Sequence, residues 1–530
     1  MALFEPQNLK FYTNDEHKSA INQSIQSLLD SLQNPSPKLS EFTSKFLELM
    51  QAKPDPHLET IWVLSGLTFH TNNSQKDDIL DQVLAVKDLF HSITTFSASS
   101  SPSVCIALIA PVIYELFSVV IDLKRKEVDK QQVKKARREI RAFLDVILGF
   151  FNVCCEGTDG DEVFGLIGQL NDLVSIWVHS DGSENGSKQF FPLLSDEVMH
   201  WVSEESGENL GVLAGAVIAE AFLLKLCLKF SDGSSKQELR NELRTWAVCS
   251  ITGFHNFYVF DTLVKMLLEP NLPVMSLLSP DDESFLRKVL YDVVILPDFS
   301  FLHLDKVGHI PNDYIKNNIL ARLMVTHEAV ELLRKNKDFT EAISYTNAFA
   351  GSYLPTLITK LVISELGANG KASQPKGSSP TAFLKWMLDL EDQGLNLSDG
   401  FISKHRARLV CYGSSMDLDS QSYKLNAGKT EDDLEFFIDN KGKDEDEKID
   451  DSTNDAFVAA ARSMQSGTKE SGKKRKETRV GKKKDGVKFQ RYNLVDHLGT
   501  KTGKNSGLLQ KDDPRSESEV EDPDSDEDVE

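Results

Sequence analysis

Between Ile21 and Val410 apolar residues return every three to four positions, segment after segment, and nowhere alternate with polar ones over the length of a strand. That periodicity draws one apolar stripe along a helix, so this part of the chain has to pack helix against helix. Ile21–Leu32 carries Ile21, Ile25, Leu28, Leu29 and Leu32 at this spacing. Leu39–Met50, Leu58–Phe69 and Ile79–Phe96 continue it, with Asn34–Pro37 and Lys53–Pro56 as breakers between the earlier segments. Ser40 is placed to cap the second helix.

The next stretch, Ser103–Asn152, differs in charge. An apolar run, Val104–Ile121, precedes a basic one, Lys124–Arg141, which holds nine Lys/Arg against three acids, and Ala142–Val153 is apolar again. The expectation is two packed helices, the first buried and the second with a cationic outer face. Lys130, Lys134, Arg137, Arg138 and Arg141 fall largely on one side of a helix and are candidate contacts for RNA or an acidic partner. A solvated face with local pairs such as Lys135–Glu139 is the plainer reading. Val104–Ile121 has about the minimum length of a membrane span. Glu115 and Pro111 inside it, and comparable helices that carry Glu220 and Lys225, argue for a core helix and no membrane.

Further helices are expected at Val163–Val178, Asp196–Val202, Leu210–Phe230, Lys236–Ile251 and Phe257–Leu268, with a flexible loop at Ser180–Lys188. Gly165 and Gly168 point to close packing. Ser279, Pro280 and the acids Asp281–Glu283 make a strong helix start. Tyr314–Arg334, Thr340–Ala350, Tyr353–Leu366, Thr381–Leu390 and Gly400–Val410 complete the series. Two helices with their turns recur every ~40–47 residues, the period of HEAT and armadillo repeats. Over Ile21–Tyr412 the chain resembles that superfamily in period and pattern, without a repeated signature word. The resemblance implies an all-α fold, an irregular α-solenoid of stacked helix pairs over residues 1–412, with a long surface that binds a protein partner.

After Tyr412 the composition changes. Residues 413–468 read as an acidic linker with short hydrophobic motifs, such as Glu431–Asn440 (EDDLEFFIDN). Residues 469–511 hold fourteen basic against four acidic residues, and residues 512–530 hold eleven acids and one arginine. Charge blocks of this kind bury nothing, so a disordered C-terminal tail is expected. Lys473, Lys474, Arg475 and Lys476, with Lys482, Lys483 and Lys484 soon after, fit the acidic grooves of import receptors and read as a nuclear localisation signal. Lys488, Phe489, Arg491 and Tyr492 interleave cations with aromatics. That pattern suits stacking on unpaired bases, docking onto a protein, or a spacer. Ser516, Ser518 and Ser525 each precede an acid by three positions and are candidate phosphorylation sites for an acidophilic kinase.

With a net charge of −22 the chain's overall field does not draw it to nucleic acid, so such contacts must be local. Six cysteines, none in a CxxC pair, read as buried thiols in a reducing compartment. The first residues show no signal-peptide pattern, so the sequons at Asn22, Asn72, Asn185 and Asn396 carry no weight.

No catalytic, cofactor or metal signature survives inspection. Gly499–Asn505 is one residue short of a phosphate loop, and His327–Glu331 lacks the second histidine of HExxH. The expectation is a non-enzymatic nuclear scaffold, concentrated in the nucleolus, that acts in ribosome biogenesis or rRNA processing without a cofactor. Its partners would be proteins on the helical surface, an import receptor on the basic tail, and RNA or basic proteins such as ribosomal proteins or histones. A chromatin or transcription cofactor is the alternative, and an import or trafficking adaptor the third reading.

Overall fold

A computed structural model describes residues 13–34, 39–73, 78–125, 130–156, 165–178, 186–230, 236–308, 310–366 and 374–395. All of these lie in the first of the two units into which the chain divides, Met1–Glu431. Among the described residues every regular element is helical and there is no strand.

The chain opens with α1 (Asn14–Leu32), and Thr13 and Glu16 close a reciprocal capping box at its start. That start lies seven residues before the first apolar stripe position, Ile21, because a cap and not the stripe sets it. Helix α2 (Leu39–Gln51) begins at Leu39, so Ser40 sits inside the first turn and not at the cap. Next come α3 (Leu58–Asn73) and α4 (Ile79–Phe96), the latter capped by Asp78.

The long apolar run is not one helix. It breaks at Leu108–Ile109 into α5 (Pro102–Ala107) and α6 (Ala110–Arg125), with Pro111 in the first turn of α6, where a missing N–H costs nothing. The basic run divides: Lys124 and Arg125 end α6, and from Lys130 it forms a single helix with the apolar run after it, α7 (Lys130–Glu156).

Of the helix expected at Val163–Val178 only α8 (Leu170–Trp177) forms among the described residues. Residues 165–169 are non-helical, and the chain passes so close to Gly207 that a Cβ on Gly165 would lie 1.9 Å from its carbonyl oxygen. The end of the expected Ser180–Lys188 loop is a short helix, α9 (Gly186–Phe190). Then follow α10 (Asp196–Glu205), α11 (Leu210–Lys229), α12 (Lys236–Phe254) and α13 (Phe257–Leu267). The series ends with α14 (Pro280–Ile295), α15 (Asn312–Lys335), α16 (Phe339–Gly351), α17 (Leu354–Leu366) and α18 (Pro380–Asp392). Ser195, Asn209, Asn256, Ser279 and Ser379 accept first-turn N–H groups, each cap stabilising its helix by about 1 kcal/mol. The helix expected at Gly400–Val410 lies outside the described residues.

Helix α11 is the axis of the body. It packs against α5, α6, α7, α10 and α13. Being surrounded, it needs no polar face, and its buried residues run unbroken from Val212 to Leu228. Both α11 and the Pro102–Arg125 segment are long and apolar enough to cross a membrane by length and composition, yet both are largely covered by other helices.

Toward the C-terminus α13 leads to α15, and α15 gathers α16, α17 and α18. Toward the N-terminus α8 returns onto α1 and α3. Two polar contacts fix that return. The Trp62 indole donates to the Leu173 carbonyl at 3.2 Å, and the buried Glu59 carboxylate accepts the Ile167 N–H. Burial raises the Glu59 pKa against the hydrogen bonds it receives.

Candidate functional site: a basic ridge and an acidic, aromatic cavity

The basic ridge begins with a split inside α7. Its second half carries Ile140, Phe143, Leu144, Ile147, Leu148 and Phe151 into the core. The same helix then turns Lys130, Lys134, Lys135 and Arg138 to solvent. Lys130 and Arg138 are eight residues apart, about 12 Å along the axis.

Two described acids of α7 pair with lysines of other helices. Glu139 pairs with Lys87 of α4 at 2.9 Å instead of closing a local pair with Lys135, and that contact lowers its pKa. Asp145 pairs with Lys225 of α11 at 2.7 Å. Lys135 and Arg138 also act on the Glu139 carboxylate, so the exposed cations share that acid with Lys87.

Arg141 does not belong to the exposed stripe. It is half-buried, and its guanidinium donates to the Leu228 carbonyl at the end of α11. Lysine 225 reaches back to donate to the Arg141 carbonyl at 2.8 Å. Burial, and then the neighbouring cations against the pull of Asp145, lowers the Lys225 pKa overall. Arg137 is also half-buried, close enough to Lys124 to help lower its pKa after burial itself. The Lys124 ammonium is tied down by the Ser276 and Leu277 carbonyls at 3.0 and 2.6 Å. Of the five candidate contacts on this helix, the structure leaves Lys130, Lys134 and Arg138 outward and turns Arg137 and Arg141 toward the body. Lys488, Phe489, Arg491, Tyr492, the clusters Lys473–Lys476 and Lys482–Lys484, and Ser516, Ser518 and Ser525 lie outside the described residues.

A second feature has the opposite charge. Helices α10, α13 and α15 enclose a cavity of about 580 Å³. Glu197, Trp201 and Glu205 reach it from successive turns of α10, and Glu208 follows at the rim. Helix α15 contributes Asp313, Tyr314 and Asn317, and α13 contributes Lys265. The Lys265 ammonium rests 3.2 Å from the centre of the Trp201 ring and 2.7 Å from the buried Asp261 carboxylate. With Lys265 engaged in that pair, Glu205, Glu208 and Asp313 bring further carboxylates to the lining.

Asp261 is held in turn by the Asn318 amide, which donates at 2.8 Å. The Tyr314 hydroxyl donates to Glu205, and its ring meets both Trp201 and Tyr258 edge-on. Burial, and then the Glu205 carboxylate, pushes the Tyr314 phenol above its ordinary range, so it remains a donor. Among the described residues no group of His, Cys, Asp and Glu side chains converges closely enough to hold a metal ion.

Sequence reasoning missed this cavity. One signal was available, the spacing Glu197–Trp201–Glu205, which puts an aromatic ring between two acids on one helix face. Lys265 and Tyr314 arrive from far along the chain and leave no local trace. His327, at the failed HExxH motif, is buried and sits 3.1 Å from the Thr381 hydroxyl, linking α15 to α18, and burial lowers its pKa to about 4.

No family model, curated protein or solved structure matches the chain.

Proposed function

We propose that the chain is a non-enzymatic nuclear scaffold, concentrated in the nucleolus and acting in ribosome biogenesis or rRNA processing. In this reading the helical body is an irregular α-solenoid of stacked helix pairs that holds protein partners. The clusters Lys473–Lys476 and Lys482–Lys484 take an import receptor. RNA, or the acidic face of an assembling particle, meets Lys130, Lys134 and Arg138. The observation that carries the reading is the run of exposed cations Lys130, Lys134, Lys135 and Arg138 on one helix in a protein whose net charge is −22. A local positive field is what phosphate contacts require.

The test compares tagged full-length protein with a variant in which Lys473–Lys476 and Lys482–Lys484 are alanine. The expected result is nucleolar signal for the first and cytoplasmic spread for the second, with ultraviolet-cross-linked RNA recovered only from the first. Uniform cytoplasmic signal for both overturns the proposal.

The Glu431–Asn440 segment, acidic with Leu434, Phe436, Phe437 and Ile438, favours a second reading as a chromatin or transcription cofactor. Histones or DNA-bound factors in place of RNA among the co-purified material select that one.

A further inference from the structure

The cavity between α10, α13 and α15 has no part in the reading above. We propose that it docks a Lys/Arg-rich segment of a partner protein. One cationic side chain enters beside Glu205 and Tyr314, and the flanking charges meet Glu208 and Asp313 at the rim.

Three observations set the chemistry of the occupant. The first is sign: with Lys265 paired to Asp261, the lining still holds Glu205, Glu208 and Asp313 and no second cation. A cleft of one sign with low-dielectric walls focuses its field on a ligand of the other sign.

The second is the wall. Trp201 and Tyr314 are half-buried and bring aromatic surface to the lining beside the carboxylates, with the chain's own Lys265 held over the Trp201 ring.

The third is spread. The carboxylates come from α10, the turn after it and the start of α15, and nowhere close on a metal site among the described residues. Glu205 is fixed inside by Tyr314, whereas Glu208 and Asp313 are exposed at the mouth. Charges set at different depths fit a chain that runs across the mouth and sends one side chain inward. Asn317 adds an amide, donor and acceptor together, which matches a peptide group. A cavity of about 580 Å³ lies within the range of sites that bind small ligands or anchor side chains.

The test uses the full chain and a fluorescent octa-arginine peptide that carries a photo-reactive group. Glu208→Gln with Asp313→Asn removes two rim charges from exposed positions. The expected result is at least tenfold weaker peptide binding with an unchanged helical circular-dichroism signal. Glu48→Gln with Asp88→Asn removes the same charge from exposed positions on α2 and α4, and should change binding less than twofold. Cross-links should fall within residues 196–209 and 311–320. Asp313→Lys alone, a reversal at the mouth, should weaken binding further than Asp313→Asn.

Equal weakening by both double variants, or cross-links confined to residues after 412, overturns the proposal. So does spermine that binds as tightly as the peptide and is weakened equally by the rim changes, since the site would then recognise small polycations. The rim variant should localise and recover RNA like the parent chain, so failure here and failure of the nuclear reading are told apart.

Discussion

The Arg240 guanidinium closes on the Asp292 carboxylate through two hydrogen bonds, 2.8 Å from Nε and 2.9 Å from Nη2, and so joins α12 to α14 inside the body. Asp292 is 2% exposed, and the Tyr345 hydroxyl of α16 donates to it at 2.8 Å. Arg240 also donates to Glu341 at 2.6 Å, and Lys288 bridges Glu341 and Asp338. One carboxylate therefore ties three helices, and every partner it has is a donor.

Asp292→Ala removes that carboxylate and leaves Arg240 and Tyr345 facing a void. Breaking a buried ion pair from one side costs about 3–5 kcal/mol, far more than the pair contributes against an apolar replacement. The expected outcome is a clear fall in the urea midpoint of Asp292→Ala. A smaller fall is expected for Asp292→Asn, which keeps an acceptor for Tyr345. Equal midpoints for the two variants would show that the loss is one of charge and not of volume.

A close contact between two helices makes the second prediction. Helices α11 and α13 touch at Gly215, where an added Cβ would stand 2.5 Å from the Tyr258 Cβ and 2.8 Å from its backbone carbonyl carbon. Backbone atoms cannot rotate aside. Alanine is favoured over glycine in a helix by about 1 kcal/mol, but overpacking of this kind costs about 1–3 kcal/mol. The contact is with backbone, so the steric term wins, and Gly215→Ala should lower the melting temperature. Gly149 has open space around its Cβ direction, so Gly149→Ala should raise it.

These elements also show what the sequence tells and what it withholds. The span of α4, Ile79–Phe96, and the Ser279 cap of α14 follow from apolar spacing and capping chemistry, both local properties. The capping box Thr13–Glu16 was equally legible, but it lies before the apolar stripe begins. The break at Leu108–Ile109 leaves one local mark, Pro111 in the first turn of α6, within a run whose two sides have the same apolar composition. Arg141 reads as one more cation in a stripe, and its bond to Leu228 depends on where α11 ends. The Arg240–Asp292 pair spans 52 residues, and the acidic cavity gathers side chains from three separate helices. Period and caps are written locally, whereas such meetings are set by the tertiary path.

Burial of Glu220 supplies a pH dependence with a definite sign. Its carboxyl lies inside α11, accepts the Leu193 N–H at 3.1 Å, and is pushed up to about 8 by burial. The native chain then holds this proton more tightly than the unfolded chain, where the pKa is about 4.3. Stability from this group is fully present at pH below about 4 and is lost as pH rises toward 8. Glu115, raised by burial to about 7, acts in the same direction. Glu220→Gln keeps an acceptor for Leu193 and removes the titration. Thermal melts from pH 5 to 8.5 should show the parent chain losing stability with pH and the variant losing less, with the gap widest above pH 8. Parallel curves would show that Glu220 is ionised in the native state.

The ridge makes a prediction that depends on how its charges are held. Lys134 and Arg138 point outward, while Arg141 is bound to Leu228, so the two kinds of residue should fail differently. If the outer pair meets phosphates, Lys134→Gln with Arg138→Gln removes two contacts. Each phosphate contact to a single strand contributes about 0.7 to the slope of log K against log salt. The pair should therefore reduce the slope for a single-stranded RNA probe by about 1.4 and leave the melting temperature unchanged, because neither side chain is packed. Arg141→Gln should do the reverse, lowering the melting temperature through the lost α7–α11 contact and hardly moving the slope. Measuring slope and melting temperature on both variants separates an RNA-binding ridge from a solvated one, for which neither slope would change.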